Sequence, residues 1–139
     1  YAQRLNRLDN GWGYDGNVAA LLGMTDEAAR ILSVKCRNSS PAYRWPATWG
    51  PNFDWLPDQN HGGNLLNTTN LMLMQAEGNE IRIFPAWPKT WDVSFRLHAP
   101  HKTIVEAELR NGVITKLKVT PESRRKDVII PAGLTTTGR

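Results

Sequence analysis

A chain of 139 residues with 40% hydrophobic and 22% charged side chains can bury a core and is too apolar to be disordered. Its longest apolar runs, such as Leu71 to Met74, are far too short to span a bilayer. The formal charge of +4 is uneven: residues 1–79 carry −1 and residues 80–139 carry +5, with the basic residues interleaved among β-branched ones. That pattern fits the solvent face of a hairpin and argues against a nucleic-acid surface.

Helical signals run to about residue 78. The chain opens at Tyr1 in the helix-like segment Ala2-Gln3-Arg4-Leu5-Asn6-Arg7-Leu8, which reads as the start of a fragment. Asn17 to Leu22 reads as a short helix stopped by Gly23. A second helix is expected over Asp26 to Cys36, capped by Thr25, with Asp26 and Glu27 at its positive end and Lys35 and Arg37 at its negative end. Cys36 is the one cysteine, so no intrachain disulfide can form, and a buried structural thiol is expected there. A third helix is expected from near Gly63, with Leu65, Leu66, Met72 and Leu73 on one face, ending at Glu77-Gly78-Asn79.

Between the second and third helices lies Trp49-Gly50-Pro51-Asn52-Phe53-Asp54-Trp55-Leu56-Pro57-Asp58-Gln59-Asn60-His61-Gly62-Gly63. Broken by two prolines, this segment is expected to be a loop leading into a helix mouth. Its aromatic rings offer flat apolar faces for sugars, and its short acids and amides bind hydroxyls in defined directions. Carbohydrate is the substrate class these residue types suit. Asp58, nearest the glycine pair, is the candidate catalytic carboxylate; Trp49, Trp55, Asp54, Asn60 and His61 are the candidates for substrate contact. Packing of the rings and capping by Asp58 are the competing roles. Asp15 is a second acid, for which a capping role serves equally well. Asp54 and Asp58 are too close in an irregular segment to establish the separation of a glycosidase acid pair. Gly11-Trp12-Gly13 lacks the strand and third glycine of a phosphate loop. His98 and His101 lack zinc spacing and read as surface residues, so no metal or cofactor is expected.

After Asn79 the period changes to two. Strands are expected at Glu80–Phe84, Val93–His98, Thr103–Leu109, Val113–Thr120 and Asp127–Ile130, with Asn111-Gly112 as a hairpin turn. The tail from Ala132 reads as irregular. Helices followed by strands give an α+β chain, with domains expected at 1–78 and 79–139.

The run Asp58-Gln59-Asn60-His61-Gly62-Gly63, the helix reaching Met74-Gln75, and Glu80-Ile81-Arg82-Ile83-Phe84-Pro85-Ala86-Trp87-Pro88-Lys89-Thr90-Trp91 together resemble the C-terminal part of glycoside hydrolase family 95, the α-L-fucosidases and relatives. The resemblance covers roughly residues 58 to 120. It implies the last helical hairpins of an (α/α)6 toroid, followed by a small antiparallel β-domain. It also implies an inverting hydrolase of α-linked fucosides or galactosides. In that scheme Asp58 orients an asparagine that positions the attacking water, with Asn60 in the same pocket and the general acid in an upstream domain of the same parent. A secreted or periplasmic parent is implied, with the fragment alone inactive. His61 and Gln59 depart from the family's aromatic and small residues, which changes the pocket floor. A non-catalytic carbohydrate-binding or structural module is the alternative. Trp87 and Trp91 are read as packing residues at a seam between the domains.

Overall fold

The computed structural model describes residues 13–37 and 59–137, with the backbone alone for 59–61. Within these the chain is α+β, and its contacts divide it into two units, Tyr1–Met72 and Leu73–Arg139.

In the first unit, helix α1 (Asp15–Leu21) and helix α2 (Thr25–Arg37) form a tight hairpin. Gly23, at φ +67°, turns the chain between them, and the amides of Gly23 and Met24 close on the carbonyls of Ala20 and Ala19. Only a residue without Cβ adopts that conformation at low cost. Thr25 is the first helical residue and not the cap, since the Ala28 amide bonds the Met24 carbonyl. Small side chains on the inner faces, Gly16, Ala19 and Ala20 on α1 and Ala28 and Ala29 on α2, let the backbones approach. Cys36 is exposed, contrary to the expected buried thiol. It follows Lys35, whose position is the one turned inward. Partial desolvation raises the Cys36 thiol pKa and keeps it a weak nucleophile at neutral pH.

Helix α3 (Gln59–Leu73) starts earlier and stops sooner than the sequence suggests. Gly62 and Gly63 lie inside it, and a Cβ on either would meet nothing within 4 Å, so neither serves a close backbone approach. At Gly16 the opposite holds: a Cβ would lie 2.9 Å from Thr68 Oγ1 and 3.2 Å from Ile31 Cγ2. Gly16→Val is therefore expected to destabilise the protein by about 1–3 kcal/mol. Gly62→Ala, with open space and a helical backbone, is expected to stabilise it by up to about 1 kcal/mol. Urea unfolding of the two variants checks both signs. Leu66, expected on the buried face, is 65% exposed, whereas Met72 and Leu73 are buried.

The second unit begins where α3 ends. Met74–Glu77, expected to be helical, is strand β1, paired antiparallel with β2 (Glu80–Ile83) across the Gly78-Asn79 turn. Ile81 and Ile83 face inward from β2, and pairing with a β-branched strand outweighs the helix preference of Met-Gln-Ala-Glu. The larger sheet is β3 (Val93–Ala99), β4 (Thr103–Arg110) and β5 (Val113–Thr120), an antiparallel meander. Asn111 and Gly112 adopt φ +49° and +77°, the primed turn expected of Asn-Gly, and Asp92 accepts the Asn111 amide at 2.8 Å. A bulge between Glu108 and Leu109 in the register with β5 keeps Leu109 and Ile114 inward.

The expected all-antiparallel arrangement needs correction. Strand β6 (Val128–Ile129) lies parallel to β2, and β7 (Thr135–Thr136), within the tail read as irregular, lies parallel to β5. Both sheets are mixed because the chain after β5 returns through a 3-10 turn (Glu122–Asp127) instead of a hairpin. Leu73, Ile81, Ile83, Phe84, Val105, Ala107, Leu109, Ile114 and Val119 form the core of this unit.

Arg124 ties that core's periphery together. Its guanidinium pairs with Asp127 at 2.7 Å and donates to Thr103 Oγ1 and the Asn79 carbonyl, each at 3.3 Å. Thr103 is fully buried, and its hydroxyl donates to the His101 carbonyl at 3.4 Å while accepting from Arg124, so losing the guanidinium leaves a buried acceptor without its donor. Arg124→Ala is expected to lower stability by about 1.5–3 kcal/mol, and Arg124→Lys to recover only part because an ammonium lacks the fork. Thermal unfolding of both variants distinguishes this from a surface ion pair, for which Lys would suffice.

Candidate functional site

The residues singled out from sequence divide unevenly over the described chain. Asp58, Asp54, Trp49 and Trp55 lie outside the described residues. Asn60 and His61 fall in the first turn of α3, so they belong to a helix and not to the loop expected there. Position 60 is one helical turn before Asn64 and two before Thr68, on the same face.

Four polar side chains of these helices are buried. Asp15 on α1, Lys35 on α2, and Asn64 and Thr68 on α3 are all buried. Lys35 Nζ donates to the Gly13 carbonyl at 2.7 Å. Thr68 Oγ1 lies 2.5 Å from Asn17 Oδ1 and 2.9 Å from the Asn64 carbonyl, and its single proton serves one acceptor at a time. Gly16 makes this geometry possible, because its missing side chain admits Thr68 against α1. Meanwhile Tyr14, Leu21, Leu22 and Leu66 are 57–65% exposed. The helices thus bury a few polar groups beside Ala19, Ala20, Ile31, Leu32 and Met72 and leave these apolar ones exposed. Burying amides and an ammonium costs free energy unless each is bonded, and here Lys35 and Thr68 are.

Chemically, these buried groups are a carboxylate, an ammonium, a hydroxyl and an amide from three helices, each engaged within the protein. Sequence reading missed Lys35, Asn64 and Thr68 as a group. Lys35 was assigned to the helix dipole, and the spacing of Asn64 and Thr68, one turn apart in an apolar helix, was the available signal. An open depression of about 570 Å³ lies elsewhere in this unit, lined by Gly23, Met24, Thr25, Asp26, Glu27 and Arg30. None of the sequence-derived site residues lines it, and Arg30 is held by Glu27 at 2.9 and 3.1 Å.

In the second unit, Trp87 and Trp91 are packing residues. Trp87 Nε1 donates to the Trp91 carbonyl at 2.9 Å, the rings meet edge to face at 5.6 Å, and Trp87 packs on the core. His98 and His101 are exposed, as the spacing suggested. Among the described residues no group of three metal-binding side chains occurs and no helix is long and apolar enough to cross a membrane.

No protein-family model matches the chain, and no curated protein matches it.

Proposed function

We propose that this chain is the C-terminal part of a glycoside hydrolase similar to family 95, acting on α-linked sugars such as L-fucosides or galactosides by inversion. In this reading α1, α2 and α3 are the closing hairpins of an (α/α)6 toroid whose earlier helices precede Tyr1 in the parent. The observation that carries it is the polar row on α3: Asn64 and Thr68 are both buried on the helix whose first turn holds Asn60 and His61. Local rules of packing are broken most often where function requires it. Asp58 orients the group that positions the attacking water, Asn60 and His61 shape the pocket floor, and Trp49, Trp55 and Asp54 contribute to the sugar-binding wall. The general acid comes from the upstream domain, against which this chain packs, and the parent is secreted or periplasmic.

A scaffold role is favoured for the second unit alone, because Trp87 and Trp91 turn onto each other and onto the core instead of forming a platform. The test is hydrolysis of aryl α-L-fucosides and α-galactosides by the parent and by this chain. Turnover by the parent and none by the chain is expected. Turnover by the isolated chain, or none by the parent on any α-glycoside, overturns the reading.

A further inference from the structure

Strand β3 is one margin of the larger sheet, whose order is β3, β4, β5, β7, and it pairs with β4 alone. Among the described residues no hydrogen bond reaches its other side, so the N–H and C=O groups of alternate residues lie open along a strand of seven. Edges are ordinarily kept from pairing by shortness, a proline, a bulge or a charge turned inward. The other edge strands here are short, two residues each for β6 and β7 and four for β1. Strand β3 has none of these protections. Its register with β4 runs unbroken from Val93 to Ala99, it contains no proline, and its inward residues Val93, Phe95, Leu97 and Ala99 are all apolar. These four are only half-buried, whereas Val105, Ala107 and Leu109 beside them on β4 are at most 1% exposed.

We infer that β3 is a dimerisation edge, which pairs antiparallel with β3 of a second copy about a two-fold axis and joins two four-stranded sheets into one. Only another extended backbone satisfies a row of strand donors and acceptors, which sets aside helices, sugars and small ions as occupants. A two-fold axis passing beside a residue keeps the apolar side chains of both copies on one face of the joined sheet, and an axis between residues does not. Three registers of the first kind pair five or more residues of β3. An axis at Arg96 sets that residue against its own counterpart, and an axis at Leu97 sets Arg96 against His98.

An axis at Phe95 avoids both. It pairs Val93 with Leu97, Ser94 with Arg96 and Phe95 with Phe95, so no two basic side chains stand directly opposite, and two rings meet on the core side. His98 and Ala99 lie beyond the paired segment. Across the seam the solvent-facing row reads Lys116, Glu108 and Ser94, followed by the partner's Arg96, Glu106 and Lys118. Each acid then has a base on either side, because the small Ser94 leaves the partner's Arg96 room to approach Glu108. A second copy thus supplies both the strand and the charge complement. The pairing uses none of the residues assigned to hydrolysis, so its failure leaves that reading standing.

The test is sedimentation equilibrium of the full chain over a range of concentrations. A dimer with a Kd of about 10–100 μM is expected, since one strand pair is at the small end of interfaces. Ser94→Lys places a second base opposite the partner's Arg96, twice in each dimer, and should weaken association about five- to thirtyfold. Its unfolding midpoint, measured where the chain is monomeric, should not fall, because within one chain position 94 faces Glu108. Ser123→Lys, the same change on the exposed turn after β5, should alter association less than about twofold. In a Cys36→Ser background, oxidation should cross-link Ser94→Cys chains to Arg96→Cys chains, which lie directly opposite, and should not cross-link Ser94→Cys chains to His98→Cys chains. A monomer at about 1 mM, equal effects of the two lysines, a lowered midpoint for Ser94→Lys, or cross-linking through position 98 in place of 96 overturns the assignment. So does an edge that takes up a strand of another protein while the chain itself stays monomeric.

Discussion

Asp58→Asn in the proposed parent hydrolase is expected to lower kcat by about 10²- to 10⁴-fold while leaving KM and the unfolding midpoint nearly unchanged. The substitution keeps the size and one hydrogen-bonding oxygen of the side chain and removes its charge and its capacity to take a proton. If the carboxylate aligns the group that holds the water, the loss falls on the transition state and not on ground-state binding. A helix-capping aspartate gives the reverse pattern: asparagine caps about as well, so neither kcat nor stability moves. Steady-state kinetics with an aryl α-L-fucoside, beside a thermal melt of the same preparation, separates the two. An unchanged kcat removes Asp58 from the reaction.

Phe84 is expected to be the most sensitive side chain of the second unit. It joins β2 to the segment before β3, its ring is 2% exposed, and it meets Phe95 edge to face at 5.4 Å. Its backbone amide donates to the Leu73 carbonyl at 2.7 Å, satisfying an acceptor at the end of α3. Holding that bond places Phe84 at φ +54°, a left-handed conformation that costs a residue with Cβ about 1–2 kcal/mol. Phe84→Ala loses the ring and keeps the strain, so a loss of about 3–5 kcal/mol is expected. Phe84→Gly loses the same ring but relieves the strain, and should be about 1 kcal/mol less damaging than Ala. In ordinary extended backbone glycine is the worse of the two. Urea denaturation showing Gly at or below Ala would falsify the claim that packing holds this residue in a strained state.

Features set by neighbouring residues were legible in the sequence. Gly23 ends α1, Asn111-Gly112 forms the hairpin turn, and β4 alternates Val105, Ala107 and Leu109 inward with Glu106 and Glu108 outward. Each follows from steric or periodic rules that act within a few residues. The Met74–Glu77 strand was not legible, because Met-Gln-Ala-Glu favours a helix until β2 offers it a partner. Leu66 and Lys35 traded the places their polarity suggests for the same kind of reason: which helix face is inside depends on what packs there. The turn between β3 and β4, with His101 at φ +62° and Lys102 at +54°, carried no glycine to announce it.

For the candidate site, the sequence drew attention to the segment before α3 only through residue type. It pointed to Asn60 and His61, but as loop residues, and the structure places both on the first turn of α3. What residues 13–37 and 59–137 specify locally is the mixture of helix and strand, the turns with positive φ, and the basic bias of the second half. The parallel pairing of β6 and β7, the meeting of Gly16 with Thr68, and the burial of Asp15, Lys35, Asn64 and Thr68 required the folded chain. These contacts join segments distant along the sequence, and their free energy depends on partners that no local window contains.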